Sequence, residues 1–163
     1  MEVTRIISLR QFDGNKCRFS NVVFKHSSGT AQNTPDGKLG ISVFDNNCAC
    51  NPVTGDCICA HIATFYGQIF QEPCAYWTFE TNLLQPPDPN PQNIPTPVLV
   101  NAPSATGDAC HYTIHNITDS RAQRLFEQRV TDGHLRLCVD GHSIAFDCET
   151  ATRLKGESYP DPR

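Results

Sequence analysis

The chain has 163 residues, of which 18 % are charged, and its formal net charge is −4. This length is enough for one domain with its own core, and we expect a single β-rich domain over residues 1–163. The low, slightly acidic charge does not suit a nucleic-acid binder, and no apolar run approaches the roughly 20 residues of a membrane span, so we expect neither a nucleic-acid partner nor a membrane span.

Short segments rich in β-branched and aromatic residues recur along the chain and predict strands. Asp-Gly pairs, among them Asp13-Gly14 and Asp140-Gly141, mark turns between such segments. The pattern predicts a mainly β fold, either an antiparallel β-sandwich or a barrel. The predicted strands are Thr4–Phe12, Cys17–His26, Lys38–Phe44, Ile62–Phe70, Ala75–Leu83 and Ala109–Ile117.

Two Cys-x-Cys pairs lie close together between Cys48 and Cys59. Drawn as a hairpin, this segment places Cys50 opposite Cys57. The outer pair is then Cys48 and Cys59, and all four sulfurs lie on one face. An intracellular adaptor that binds zinc through these four thiolates is one alternative, although structural zinc sites favour cysteines two to four residues apart. We expect disulfides instead, either across the hairpin or outward to Cys17, Cys74 and Cys110.

Aromatic residues are concentrated around Cys74. Strand alternation on Ala75–Leu83 sends Tyr76 to one face and Trp77 to the other. We expect most of these rings in the core, but an exposed row would form a natural ligand or partner surface. Tyr76 and Trp77 are therefore candidate binding residues.

The stretch 85–107 contains seven prolines. Proline has no backbone N–H to donate to a strand partner, so we expect a long Pro-rich surface loop across one sheet or around its edge.

Two histidines, His111 and His115, are expected on one face of the strand Ala109–Ile117, because strand residues alternate between faces. They would suit acid-base chemistry in a small secreted hydrolase of the ribonuclease type, with Glu80 or Asp147 as a carboxylate partner. No recognised catalytic motif accompanies them, and the preferred prediction names no catalytic residue. The sequon Asn116-Ile117-Thr118 predicts glycosylation at Asn116.

Helical spacing of apolar residues predicts one short helix over about 120–131. Its arginines form a basic strip, from which we take Arg121 and Arg124 as candidate binding residues.

A hairpin is predicted after this helix, around Asp140-Gly141. Its register pairs Val139 with His142 and Leu137 with Ile144, which places Cys148 with the core face and Cys138 on a polar face. These two cysteines are therefore not expected to bond to each other.

Nine cysteines in a chain of this length indicate a disulfide framework in an oxidising compartment. One of them must remain unpaired within the chain, and the sequence leaves the pairing open. Residues 1–7 lack the apolar run of a signal peptide, so we expect either a mature form with an added Met1 or a protein that is not secreted. The cysteines are Cys17, Cys48, Cys50, Cys57, Cys59, Cys74, Cys110, Cys138 and Cys148.

Low charge, abundant cysteines, many Asn-, Asp- and Gly-containing turns and a Pro-rich loop resemble the small secreted cysteine-rich effectors of filamentous fungi. Among these proteins, the resemblance implies a β fold similar to that of the Alt a 1-like group. The resemblance implies a virulence role without catalysis, in which the protein binds a host or cell-wall component. We therefore expect a secreted, disulfide-rich binding module with a protein or glycan partner outside the cell and no cofactor.

Overall fold

A computed structural model describes residues 1–20, 40–86, 88–91, 93, 96–101, 106–117, 124, 127–128 and 134–160. Within these ranges, three α-helices have defined bounds, namely α1 (Asn46–Ala49), α2 (Gly55–Tyr66) and α3 (Cys148–Ser158), and two short 3-10 helices span Leu9–Gln11 and Thr81–Leu84. The strands are β1 (Glu2–Ile7), β2 (Phe12–Asp13), β3 (Arg18–Phe19), β4 (Ile41–Asp45), β5 (Cys74–Glu80), β6 (Val98–Asn101), β7 (His111–His115), β8 (Leu135–Val139) and β9 (His142–Ala145).

Seven of the strands form one antiparallel sheet in the order β6-β7-β4-β1-β5-β8-β9. The strands β2 and β3 form a separate hairpin. Over the described residues the large sheet is open, with β6 and β9 at its edges, and it does not close into a barrel. The predicted mainly β, antiparallel and disulfide-stabilised fold is confirmed. No helix among the described residues is long and apolar enough to cross a membrane.

Each face of the large sheet covers its own hydrophobic cluster, because alternate side chains of every strand point to opposite faces. On one face, which we call the α2 face, Ile58 and Ile62 of α2 pack with Tyr76. On the other, the α3 face, Trp77 packs in the same cluster as Leu154 of α3. The sheet is thus buried on both sides, with the β2–β3 hairpin contributing to the α3 face.

The predicted hairpin at Cys48–Cys59 and the predicted strand Ile62–Phe70 are wrong, because both regions are largely helical. The buried residues Ile58, Ile62 and Tyr66 recur every four positions, which is the spacing of one helix face. Thr54 caps the helix, since its hydroxyl accepts a hydrogen bond from the Cys57 N–H at 3.1 Å.

Four disulfides join eight of the nine cysteines, as the disulfide prediction requires. Cys50 and Cys57, which the predicted hairpin placed opposite each other, are bonded to each other. Cys48 and Cys59 do not oppose each other, and each bonds to a distant part of the chain. The sulfurs of the postulated zinc site are therefore not four free thiolates. The bonds are Cys17–Cys148, Cys48–Cys110, Cys50–Cys57 and Cys59–Cys138.

The hairpin of β8 and β9 has the predicted register, including Leu137 opposite Ile144. Asp140 and Gly141 both have positive φ angles, of 51° and 81°, as a two-residue type I′ turn requires. Two details differ. Cys138 is fully buried beneath α2 instead of lying on a polar face, and Cys148 is half-buried at the start of α3, beyond the end of the hairpin.

The Pro-rich stretch is not loop throughout, because Val98–Asn101 forms the edge strand β6 beside β7. These four residues contain no proline, so their N–H groups are free to pair. The predicted helix at 120–131 lies mostly outside the described residues, but Arg124, Glu127 and Gln128 are helical and exposed.

Cys74 is the free cysteine of the structure and is buried. Burial, followed by the negative charge of Glu72, raises the pKa of its thiol to about 12. We therefore expect an alkylating reagent at neutral pH to leave the native protein unmodified. The unfolded, unreduced protein should take up one adduct and the unfolded, reduced protein nine, as measured by intact mass. Several adducts on the native, unreduced chain would contradict both the four disulfides and the burial of Cys74.

Candidate functional site

An open cleft lies on the α2 face, between the start of α2 and the strands β5 and β8. We call it the α2 cleft, and its volume is about 260 Å³. Val53, Thr54 and Ile58 line its helix side, while Tyr76, Thr78, His134 and Arg136 line its strand side.

The close approach of α2 to the sheet depends on Gly55. A Cβ at this position would lie 2.5 Å from Cβ of Ser143 and 3.2 Å from the hydroxyl oxygen of Tyr76. Only a residue without a side chain lets the first turn of α2 approach β9 this closely. Gly55 therefore sets the width of the α2 cleft at its inner end.

Three polar side chains form a connected network at this end of the cleft. The Tyr76 and Ser143 hydroxyl oxygens are 2.7 Å apart, and Nε of Arg136 donates a hydrogen bond to the Ser143 hydroxyl at 2.6 Å. A second guanidinium nitrogen of Arg136 lies 3.3 Å from the Ser143 carbonyl oxygen. Because the guanidinium is a rigid planar donor, these bonds fix its orientation at the cleft. Burial raises the pKa of Tyr76, so its hydroxyl stays protonated at neutral pH.

Asp56 ties the first turn of α2 to β9 outside the cleft. Its carboxylate accepts the backbone N–H of Ser143 at 2.9 Å and lies 3.4 Å from Nδ1 of His142. The Ser143 hydrogen bond, followed by the His142 hydrogen bond, lowers the pKa of Asp56. The carboxylate is thus ionised at neutral pH and occupied by structural hydrogen bonds.

A second polar cluster is buried beneath α2, around Asp108. Its carboxylate accepts hydrogen bonds from His61 at 3.0 Å, from the Tyr66 hydroxyl and from the Cys110 N–H at 2.9 Å. Burial alone would raise the pKa of Asp108, but the bonds from His61, Tyr66 and Cys110 outweigh it and lower the pKa. All of these side chains are buried, so this cluster holds α2 to the Asp108–Cys110 turn instead of facing a ligand. None of His61, Tyr66 and Asp108 was predicted from the sequence as a site residue.

The two histidines of the hydrolase alternative do share one face of β7, with Thr113 between them, but they are buried. The Ser42 hydroxyl bonds to Nε2 of His111, and the Thr113 hydroxyl lies 3.0 Å from Nε2 of His115. Glu80 ends β5, which β4 and β1 separate from β7.

The Asp147 carboxylate caps the start of α3, at the edge of the sheet opposite to β7, and is not a partner of either histidine. The proposed acid-base site is therefore not assembled.

The predicted binding residues differ in burial and in location. Trp77 is 3 % exposed and stacked on Phe79 at 4.3 Å in the core, so its side chain offers almost no surface to a partner. Tyr76 is also buried, but it reaches the α2 cleft. Arg124 is exposed, while Arg121 lies outside the described residues.

Asn116 is exposed, which glycosylation requires, and its side-chain nitrogen donates to the Thr96 carbonyl at 3.3 Å. Glycosylation at this position stays a prediction.

The residues of the α2 cleft come from three distant stretches of the chain, at 53–58, 76–78 and 134–136. The Thr54-Gly55 pair is the sequence feature that comes closest to indicating this cleft, because Thr54 can cap the start of a helix and Gly55 allows close packing.

In the part of the chain that the structure describes, no three His, Cys, Asp or Glu side chains are grouped as metal ligands. Comparisons with protein-family models, curated proteins and solved structures found no match to this chain.

Proposed function

We propose that the chain is a secreted, disulfide-stabilised binding module of the effector type, which holds a host or cell-wall component in the α2 cleft and does not act by catalysis. The observation that carries this proposal is the cleft itself. It combines an ordered arginine and other polar groups with an apolar side, and it is open to solvent.

The cysteines support the extracellular part of the proposal. Eight of nine are bonded in disulfides, three of which link residues more than 60 positions apart. Such bonds persist in oxidising compartments and are rare in the cytosol.

The lining of the α2 cleft favours a sugar ring as the bound group. A pyranose carries hydroxyl groups around its rim and C–H groups on its faces. Arg136, His134 and Thr78 offer hydrogen-bonding groups on the strand side, and Val53 and Ile58 offer apolar contact on the helix side. The volume of about 260 Å³ suits one such ring better than an extended ligand. A glycan of a host surface or cell wall is therefore the proposed partner.

The placement of the acid-base residues favours binding over hydrolysis. Three histidines are buried and hydrogen-bonded within the protein, namely His61, His111 and His115. The Asp56 carboxylate is already hydrogen-bonded to Ser143 and His142. The groups left at the cleft orient a ligand without offering a positioned acid and base.

Replacing an exposed group of the cleft tests the proposal. We expect the wild-type protein to bind at least one of immobilised chitin, β-glucan and xylan fragments, and His134→Ala to bind that glycan about tenfold more weakly, as expected for losing one well-made polar contact. His134 is exposed, so the fold should tolerate its truncation. Affinities are measured by biolayer interferometry.

Arg153→Gln serves as the matched control, because Arg153 is exposed on α3 and pairs with Glu157 away from the cleft. Wild-type affinity is expected for this variant. Absence of binding to every glycan, or equal affinity of His134→Ala and wild type, would overturn the assignment of the cleft. Release of reducing sugar by the wild-type protein would overturn the non-catalytic part.

A further inference from the structure

A larger groove lies on the α3 side of the molecule, between the β2–β3 hairpin and α3. We call it the hairpin groove, and its volume is about 620 Å³. Four of its lining residues are cationic, while Asp13 is its acidic one. The described part of the chain contains eight lysines and arginines, so half of them meet at this groove in a protein of net charge −4. The cations are Arg10, Lys16, Arg18 and Lys155.

The groove is held in shape by several independent contacts. The Cys17–Cys148 disulfide joins the hairpin turn to the start of α3. Nζ of Lys155 donates to the Phe12 carbonyl at 2.5 Å, and the Arg10 guanidinium lies 4.7 Å from the centre of the Tyr159 ring. Two of the cations are therefore positioned before any ligand arrives, which reduces the entropy lost on binding.

Among the residues that the structure describes, positive charge predominates at the groove, because four cations and the Asp13 carboxylate line it. Among the described residues, none of the four cations forms an ion pair. Asp13 is engaged with the backbone, because its Oδ1 accepts the N–H groups of Asn15 and Lys16 at 3.0 and 3.3 Å. Cations held close together repel one another, and a polyanion relieves that repulsion on binding.

We propose that the hairpin groove binds an acidic polysaccharide, through Arg10, Lys16, Arg18 and Lys155. Carboxylate or sulfate groups repeated along such a chain match several cations spread along one open surface. Nucleic acid fits less well, because the aromatic rings at the groove, Phe12 and Phe19, are each 1 % exposed and present no face for base stacking. This site is separate from the α2 cleft and does not depend on the function proposed there.

The test measures binding of the full chain to three probes by isothermal titration calorimetry: polygalacturonate fragments, dextran sulfate fragments, which carry sulfate and no carboxylate, and neutral dextran of similar length. We expect binding to at least one anionic glycan and none to dextran. Whichever anionic glycan binds more tightly identifies carboxylate or sulfate as the recognised group. Raising the salt from 50 to 200 mM should weaken binding on the order of tenfold, because counterions compete for the same cations.

The double variant Lys16→Gln, Arg18→Gln should bind the anionic glycan about tenfold more weakly than wild type, with a shallower salt dependence. Arg153→Gln is the matched control, since it removes an exposed positive charge from α3 outside the groove, and it should bind as wild type does. The Tm of each variant verifies that it is folded.

Three outcomes would overturn the proposal: wild-type affinity of the folded double variant, equal weakening by Arg153→Gln, or tighter binding of a single-stranded oligonucleotide than of either anionic glycan. The His134→Ala variant should leave binding to the anionic glycan unchanged. Failure at the hairpin groove is therefore distinguishable from failure at the α2 cleft.

Discussion

Removing the Cys59–Cys138 disulfide is expected to lower the free energy of unfolding by about 4 kcal/mol. The bond links α2 to β8 across a sequence separation of 79 residues, so its loss frees a long loop in the unfolded chain. Both sulfurs are fully buried on the α2 face, and the bond holds α2 over the sheet. The change to test is the double substitution Cys59→Ala, Cys138→Ala, measured by urea unfolding under non-reducing conditions.

The Cys50–Cys57 bond provides the comparison, because it closes a separation of only 7 residues. The double substitution Cys50→Ala, Cys57→Ala should lower the free energy of unfolding by about 2.5 kcal/mol. A loss as large as that of the Cys59–Cys138 variant would show that loop length does not control the contribution of these bonds.

The free thiol of Cys74 makes the double substitution preferable to a single one. Cys74 lies directly opposite Cys138 in the pairing of β5 with β8. A Cys59→Ala variant would leave two thiols on adjacent strands, and a new bond between them would obscure the stability measurement. In the double variant Cys74 has no such neighbour to react with.

Replacing Asp108 with alanine is expected to lower the free energy of unfolding by about 3 kcal/mol. The substitution leaves His61, Tyr66 and the Cys110 N–H without their shared buried acceptor. Because His61, Tyr66 and Cys110 are buried, water replaces the lost hydrogen bonds poorly. Asp108→Asn should cost less, since its carbonyl oxygen still accepts one or more of the same bonds.

The stability of the wild-type protein should also depend on pH through Asp108. Its pKa in the folded state lies below the ordinary value of 3.8, so the folded state binds fewer protons than the unfolded state in this range. The contribution of the carboxylate is therefore fully present above about pH 5 and is lost as the pH falls through the folded-state pKa.

Urea unfolding of wild type and Asp108→Asn between pH 7 and pH 2 measures this dependence. Wild type should lose more stability than the variant below pH 4, so that the two curves converge in acid. Asp56 and Asp147 also have lowered pKa values, but both are present in the two proteins, and their effects cancel in the difference. Parallel curves over the whole range would contradict the assigned role of Asp108.

Some elements were predictable because their signals are local. Alternating apolar residues around Asp140-Gly141 predict the β8–β9 hairpin and its register, since an Asp-Gly pair suits the two positive φ angles of a tight type I′ turn. The same alternation places Tyr76 and Trp77 on opposite faces of β5. The number of cysteines predicts disulfides with one thiol left over, which the structure identifies as Cys74.

Other elements were not decided by local pattern. The spacing of the apolar residues in 55–66 is compatible with a strand over a few positions and with a helix over the whole segment. Packing of Ile58 and Ile62 against the sheet favours the helix. Trp77 does not belong to an exposed aromatic row, because both faces of the sheet are covered.

The sequence by itself determined that this chain is mainly β, is rich in disulfides and contains the β8–β9 hairpin. Only the tertiary structure decided the pairing of the cysteines and the composition of the two candidate sites. The α2 cleft joins residues 53–58, 76–78 and 134–136, and the hairpin groove joins residues 10–20 with Lys155. Strand pairing, helix packing and disulfides bring these segments together, and such long-range contacts leave no periodic signal in the amino-acid sequence.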